Sequence, residues 1–455
     1  MREKLRGSAV RRLLKLFVQE KTFVLSSIKR AVHKFLLQKP DLNRASSILG
    51  MLKPNGLHVT EMFDSNESFF SCGEAVLGVG SHNFKLEVMD EEHIAACGRG
   101  CKEKGQVLES CYFWKLRQCI ERGWKPVVDE TSEGGIMPLY EVSGNYKKVD
   151  IFIDTVSQEM KKMEDSGMAV KGVPGVGDII NPLGAVLKRS DEARAEVIAG
   201  VRILDQVSLA KASEILVGMG LPKVKVRIST DLTASGVNLR ALTPPFRYPS
   251  LADGLRIVSR NDWLGKGDVS RYFNEFPLAR ESHHLFWVWL LGAYYCLVRC
   301  CFGFGPSPFY CSTWSAEFRS WMLAKNVLLC CHMMDDWLVA SETEEGCRQK
   351  LGVVSNTLTR VGLTMEPSKE EYGQRLLYLG VLIDTISMTV RFEPTNAKCM
   401  RLELERHLGV LRSGRDLDKT TIRHVCGKLE WYAGSVLQAG RTHIRSWWLY
   451  TFRSK

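Results

Sequence analysis

The run Cys331-His332-Met333-Met334-Asp335-Asp336-Trp337-Leu338-Val339 limits the fold of this chain more than any other. Two adjacent carboxylates sit between two apolar runs, each short enough to be a strand. A buried strand does not tolerate two acids without a reason, because an unpaired buried charge is costly. A hairpin with the acids at its tip removes the conflict. Neighbours on a regular strand point to opposite faces, whereas at a tip both can approach one site. Taken alone, an Asp-Asp pair is common in ordinary turns, so its meaning depends on what else the sequence supplies.

A second run, Lys266-Gly267-Asp268-Val269-Ser270-Arg271-Tyr272-Phe273, leads to Phe276-Pro277-Leu278. One acid closes a short apolar strand, and an aromatic follows five residues later. Two carboxylate positions brought together can hold a pair of Mg²⁺ ions about 4 Å apart. Such a pair activates an attacking hydroxyl and stabilises the leaving oxygen in phosphoryl transfer. Mg²⁺ is served by a few carboxylates plus substrate phosphates, so three Asp residues are enough.

With 455 residues, about two to four folding units are expected. A hydrophobic content of 45% excludes a disordered protein. The net charge of +11 suits a polyanionic partner. Almost all of the excess lies in residues 1–53, which hold 13 Lys and Arg against 3 Asp and Glu. From Arg11 to Lys39 basic and apolar residues alternate at helical spacing, which predicts a basic amphipathic extension. The bland alternative is a solvated helix face. The 14 cysteines fall largely in apolar runs and no secretory signal is evident, which points to an intracellular protein (cytoplasm or nucleus) with reduced thiols, not a secreted one. His93, Cys97 and Cys101 have ligand-like spacing, with Cys72, Cys111 and Cys119 nearby, but no tight CxxC pair accompanies them and zinc is the lesser reading. The most apolar run, Leu285–Val298, is too short to span a bilayer and is expected to be core, so no membrane partner is predicted.

Helical patterns occupy 106–125, Asp150–Met168, Thr313–Leu323, Glu345–Val361 and the chain from Asn396 onward. Strand-like runs occupy Val224–Thr230, Gly265–Val269, Leu328–Met334, Trp337–Ala340 and Tyr378–Ile383. There is no Gly-rich dinucleotide fingerprint, so a Rossmann reading has no support. Residues 54–105 are weakly patterned.

The order of these words resembles the reverse transcriptases, most closely those of DIRS-type retrotransposons, over about residues 175–450. The resemblance implies an α+β right-hand polymerase with fingers, a ferredoxin-like palm and a partial helical thumb, after a mostly helical N-terminal extension. Its boundaries would be a basic helical extension at 1–53, an unassigned region at 54–150, fingers at 151–260, palm at 261–395 and thumb at 396–455. Residues 1–150 carry none of the family's motifs. The family's polyproteins continue into a ribonuclease H domain, for which no carboxylate set is visible, so a fragment, a truncated copy or a stand-alone polymerase is expected.

The implied chemistry is template-directed DNA synthesis from dNTPs on an RNA or DNA template, with two Mg²⁺ ions that Mn²⁺ could replace. Asp268 falls on the first palm acid, with Val269 beside it among the metal-holding positions. Asp335 is the direct ligand of the hairpin and Asp336 the less direct one. Met333 stands where the family usually has an aromatic. Arg227 falls where an Arg meets the incoming triphosphate, since its planar fork suits phosphate oxygens, and Lys225 is a weaker candidate. Phe273 is at the position of the bulky gate under the sugar. Gly303, in Phe302-Gly303-Phe304-Gly305-Pro306, belongs to the loop behind the template base, where viral members often have Gln in place of Phe302. Phe246 to Ser250 resembles the segment that connects fingers to palm. Lys369 matches a Lys proposed to protonate pyrophosphate. Tyr378, Leu379 and Gly380 resemble the primer-grip hairpin, and Lys428 and Arg441 would contact duplex phosphates. RNA template, DNA primer and dNTPs are the implied partners, and the oligomeric state stays open. The alternatives are an inactive relative that binds nucleic acid and an RNA-copying RNA polymerase.

Overall fold

The computed structural model describes residues 83–97, 112–128, 140–141, 144–187, 214, 217–220, 225–246, 248–327 and 329–435. The expected basic extension at 1–53, Cys72, Cys101, Cys111 and Arg441 lie outside these residues.

The chain enters through α1 (Leu86–Cys97) and α2 (Tyr112–Arg122). After β1 (Tyr140–Glu141), the pattern expected as one helix is two, α3 (Lys147–Ile151) and α4 (Ile153–Asp165), broken at Phe152. Strands β2 (Ala169–Gly172), β3 (Ile179–Asn181), β4 (Leu183–Leu187) and β5 (Val226–Thr230) follow, then the short helices α5 (Val237–Arg240) and α6 (Leu251–Leu255). Ser250 and Asp253 cap α6 reciprocally. Next come β6 (Trp263–Asp268), β7 (Trp287–Leu290), β8 (Ala293–Leu297) and α7 (Ser307–Ala324). Strands β9 (Cys330–Met333) and β10 (Asp336–Ser341) lead into α8 (Glu344–Val361), which Thr343 caps by accepting from the Gly346 N–H. The described chain closes with β11 (Glu371–Gly373), β12 (Arg375–Tyr378), β13 (Val381–Asp384), β14 (Thr389–Phe392), α9 (Pro394–Arg412) and α10 (Lys419–Ser435).

The central sheet runs β11-β6-β10-β9 and is antiparallel throughout. Its two faces follow from the alternation of residues along β6. Gly265 and Gly267 point to one side, where their lack of a side chain lets Cys347, Leu351 and Met365 pack close. Trp337, Val339 and Cys330 share that side and join the large core with α7 and α8. Leu264, Leu338, Ala340 and Cys331 point the other way, onto a second core with Leu251, Leu376, Tyr378 and Ile383. Thus α6 and the β12-β13-β14 sheet cover that face, and Lys266, Asp268 and Asp336 lie on it where the apolar residues run out.

The run expected as core, Leu285–Val298, forms a hairpin, β7 and β8, within the sheet β1-β3-β7-β8-β2, and buries Leu285, Phe286, Val288, Leu290 and Leu297 in the large core. Every second residue faces outward, so Trp289 and Leu291 are exposed. The strand expected over Tyr378–Ile383 is two strands, because Leu379 and Gly380 both take positive φ and turn the chain between β12 and β13. The helical tail is two helices separated near Gly414. No helix among the described residues is long and apolar enough to cross a membrane.

Candidate active site

The site starts from a two-residue turn. Met333 pairs with Asp336 across the β9–β10 hairpin, leaving Met334 and Asp335 at its tip. Met334 adopts φ 54°, a left-handed conformation that costs a side-chain-bearing residue energy unless its surroundings hold it. The surroundings do so: Ser315 Oγ on α7 donates to the Met334 carbonyl at 2.6 Å. Tyr272 Oη lies 2.6 Å from that Oγ and donates to the Cys311 carbonyl at 2.6 Å. From the other side, the Val269 N–H donates to the Asp335 carbonyl at 3.0 Å.

This anchoring brings the two acidic words of the sequence together. Asp336 is the direct cross-strand partner of Asp268. Directly opposed residues of an antiparallel pair have Cα atoms about 4.5–5.5 Å apart. Asp335 follows at the adjoining turn. The consequence is electrostatic. Burial, then the charge of Asp268, pushes the Asp335 carboxyl up to about 6. Burial, then the charges of Asp335 and Asp268, pushes Asp336 up to about 7. Arg227 and Lys369 pull Asp335 back down, and Lys266 and Lys369 do so for Asp336. The Lys369 ammonium also forms an ion pair with Asp268.

Among the described residues no group of three His, Cys, Asp or Glu stands in ready-made metal-ligand geometry. Mutually repelling carboxylates, half-buried beside one another, nonetheless suit a hard divalent cation that takes few protein oxygens. Val269, expected among the metal positions, is buried and serves through its N–H to tie the acid strand to the turn.

Of the residues expected around a nucleotide, Arg227 and Phe273 meet at the Phe302 ring, and Arg227 is close enough to act on Asp335. Arg227 is exposed on β5, its guanidinium carbon 5.8 Å from the centroid of the Phe302 ring. Phe273 meets the same ring edge-on, with centroids 5.0 Å apart. Lys225 is exposed just before β5. Gly303 has φ 104°, and a Cβ there would come within 1.8 Å of the Thr230 carbonyl, so only glycine fits this crossing.

Two residues that the sequence did not single out hold this arrangement. Asn238 clamps the glycine loop with both ends of its amide, donating to the Gly303 carbonyl at 2.7 Å and accepting from the Gly305 N–H at 2.8 Å. Lys266 donates to the Leu377 carbonyl at 2.8 Å and pairs with Glu371 at 2.9 Å, tying the acid strand to the β12–β13 hairpin. Its place two residues before Asp268, on the same strand face, was the available signal. Asn238 gave none.

One expectation needs correction. The Tyr378 side chain is buried in the second core and is not available to a ligand, which leaves only the Leu379–Gly380 turn at the surface. Lys428 is engaged by Glu403 at 2.6 Å across the α9–α10 pair. His93 and Cys97 approach to 3.5 Å, and the His93 ring is stacked on Phe113 and lies 3.4 Å from Glu317, packed in the core.

Part of the chain is similar to a known protein family. Residues 217–383 match the family model for reverse transcriptase (RNA-dependent DNA polymerase). No curated protein matches the sequence. Among solved structures, the chain is similar to a foamy viral protease-reverse transcriptase in complex with double-stranded DNA, at 12% identity and a TM-score of 0.46. It covers 95% of this chain and spans 58% of that one. It is also similar to the foamy viral enzyme in complex with an RNA/DNA hybrid, at 12% identity and a TM-score of 0.44, covering 94% of this chain and 44% of that one.

Proposed function

We propose that the protein is an RNA-directed DNA polymerase of retrotransposon origin, extending a primer with dNTPs on an RNA or DNA template. The observation that carries this reading is the register of the central sheet, which opposes Asp268 to Asp336 and sets Asp335 in the adjoining turn. In this reading β6, β9 and β10 belong to a palm, the β5 region to fingers and α9–α10 to a thumb, within a DIRS-type member of the family.

Asp268 and Asp335 would hold Mg²⁺, with Asp336 beside them. When bound, the metal pair lowers the pKa of the attacking hydroxyl and offsets charge on the leaving oxygen. The chain's own groups do the rest. Arg227 presents a fork of N–H donors to the triphosphate. Lys369 supplies positive charge and a proton for the leaving pyrophosphate. The Phe273 ring excludes a 2′-hydroxyl and favours deoxynucleotides. The Leu379–Gly380 turn supports the primer end through its backbone. The foamy viral relatives were solved with double-stranded DNA and with an RNA/DNA hybrid, which supports nucleic-acid partners of the same kind here.

The test is incorporation of labelled dNTPs or NTPs on a primed RNA template with Mg²⁺ or Mn²⁺. We expect dNTP incorporation that Asp335→Asn reduces more than about a hundredfold with the fold retained, since a metal ligand contributes several kcal/mol to the transition state. Near-normal synthesis by this variant would refute the assignment. No incorporation by the native chain would favour a nucleic-acid binder, and a preference for NTPs would favour an RNA polymerase.

A further inference from the structure

One buried hydroxyl beside the acids has no part in the chemistry proposed above. Tyr272 lies just beyond Asp268 and is buried, and its phenol oxygen reaches across to α7. It donates to the Cys311 carbonyl at 2.6 Å and lies 2.6 Å from Ser315 Oγ. A serine inside a helix commonly turns its hydroxyl back onto the carbonyl four residues earlier. For Ser315 that carbonyl belongs to Cys311, and the phenol already occupies it. The serine proton goes instead to the Met334 carbonyl at 2.6 Å. Burial, with smaller contributions from Cys311 and Asp335, pushes the Tyr272 hydroxyl well above the usual tyrosine range, so it stays a neutral donor.

The carbonyl that Ser315 holds decides the shape of the acid turn. Of the two tip residues only Met334 has a positive φ, at 54°. That is the pattern of a type II′ turn, in which glycine is the usual first residue. The alternative type I′ turn has the central peptide, between Met334 and Asp335, turned over, and it requires positive φ at both residues. Aspartate tolerates a positive φ better than most side chains, so the I′ form is within reach of this sequence. Turning the peptide over would swing the Met334 carbonyl away from Ser315 and re-aim the Asp335 side chain. The Val269 N–H holds the next carbonyl, that of Asp335, and does not fix this peptide. Asp336, paired in β10 with Met333 and Asp268, would stay where it is.

We propose that Tyr272 and Ser315 are positioning residues: the phenol frees the serine proton, and the serine holds the turn in its II′ form, aiming Asp335 at the metal. The inference rests on the proposed polymerase reading.

The experiment uses the full chain and its Ser315→Ala, Tyr272→Phe and Ser315→Ala/Tyr272→Phe variants. Titration with Mn²⁺ alone, the free ion followed by electron paramagnetic resonance, reports the metal site. Steady-state primer extension reports synthesis, and thermal melting reports folding. Each single variant should weaken Mn²⁺ binding about three- to tenfold, the reach of one hydrogen bond, and lower kcat with KM for dNTP within about twofold. Tyr272→Phe keeps the ring and removes only the hydroxyl. The double variant should be no worse than Ser315→Ala, because the phenol acts only through the serine.

Native Mn²⁺ affinity and kcat in either folded single variant would overturn the inference, as would additive losses in the double variant. A lower melting temperature with Mn²⁺ binding unchanged would make the hydroxyls purely structural and overturn it too. Asp335→Asn should abolish synthesis and weaken Mn²⁺ binding. If the native chain binds Mn²⁺ through Asp335 but makes no DNA, the polymerase reading fails, and the titration still decides the role of the two hydroxyls. If the native chain binds no Mn²⁺, both fail.

Discussion

At the residue scale, the hairpin acids set function against stability. Asp336 is raised to about 7 by burial and by the neighbouring Asp335 and Asp268 charges, while an unfolded Asp titrates near 3.9. Between these values the folded chain binds more protons than the unfolded one, so stability falls as pH rises. The contribution of Asp336 is therefore fully present below about pH 4 and lost by about pH 7, and Asp335, raised to about 6, acts in the same direction. Arg227, Lys266 and Lys369 oppose this without cancelling it. We expect Asp336→Asn, measured with chelator present, to melt higher than the native protein at pH 8, the gap closing toward pH 5. A gap that does not depend on pH would mean that the carboxylates do not repel one another in the folded state. The same acids were the most legible residues of the sequence, because two charges between two strand-length apolar runs admit few arrangements. The burial of Tyr378 and the ion pair of Lys428 were not legible. A tyrosine beside a turn can face a ligand or a core, and the pairing of Lys428 with Glu403 depends on how two helices dock.

At the element scale, hydrophobic period revealed helices and strands well but turns less well. Helix α8 lies within a residue of the pattern that predicts it, because a threonine cap and a glycine stop bracket it. The β12–β13 turn was hidden inside an apolar run, since Leu379 takes a left-handed φ without being a turn-forming residue. What joins this hairpin to the acids is the Lys266 ammonium on the Leu377 carbonyl. We expect Lys266→Met to leave that carbonyl short of a donor, costing about 1–2 kcal/mol in urea denaturation. Amide exchange should quicken in Arg375–Asp384 while the β9–β10 hairpin stays protected. Equal acceleration in both would show that the lysine supports the whole sheet and not the junction.

At the scale of the molecule, the family match and the folding unit do not coincide. Residues 217–383 hold the acids, but the large core also contains Phe84, Met89, Phe113, Leu116, Ile120 and Trp124 from the region that the sequence left unassigned. Their spacing is too weak to predict a fold, because α1 buries polar residues among apolar ones: Glu92 and His93 are both buried. The polar partners come from far along the chain. Arg360 and Lys325 meet Glu92 at 2.7 and 3.2 Å, the Lys85 N–H donates to the Val361 carbonyl at 2.8 Å, and Gly362 leaves room for the Asn83 carbonyl, which a Cβ would strike at 1.2 Å. The helices α7 and α8 that α1 braces are those that support the acid hairpin, through Ser315 and through Cys347 and Leu351 behind Gly265 and Gly267. We therefore expect residues 217–383 expressed alone to lack a cooperative thermal transition. In the full chain, Glu92→Ala should cost about 1–3 kcal/mol, the lower end of a buried pair because both cations keep contact with water. A fragment that melts cooperatively, or a Glu92→Ala protein as stable as the native one, would show that α1 is an appendage and that the central sheet is braced by its own helices alone.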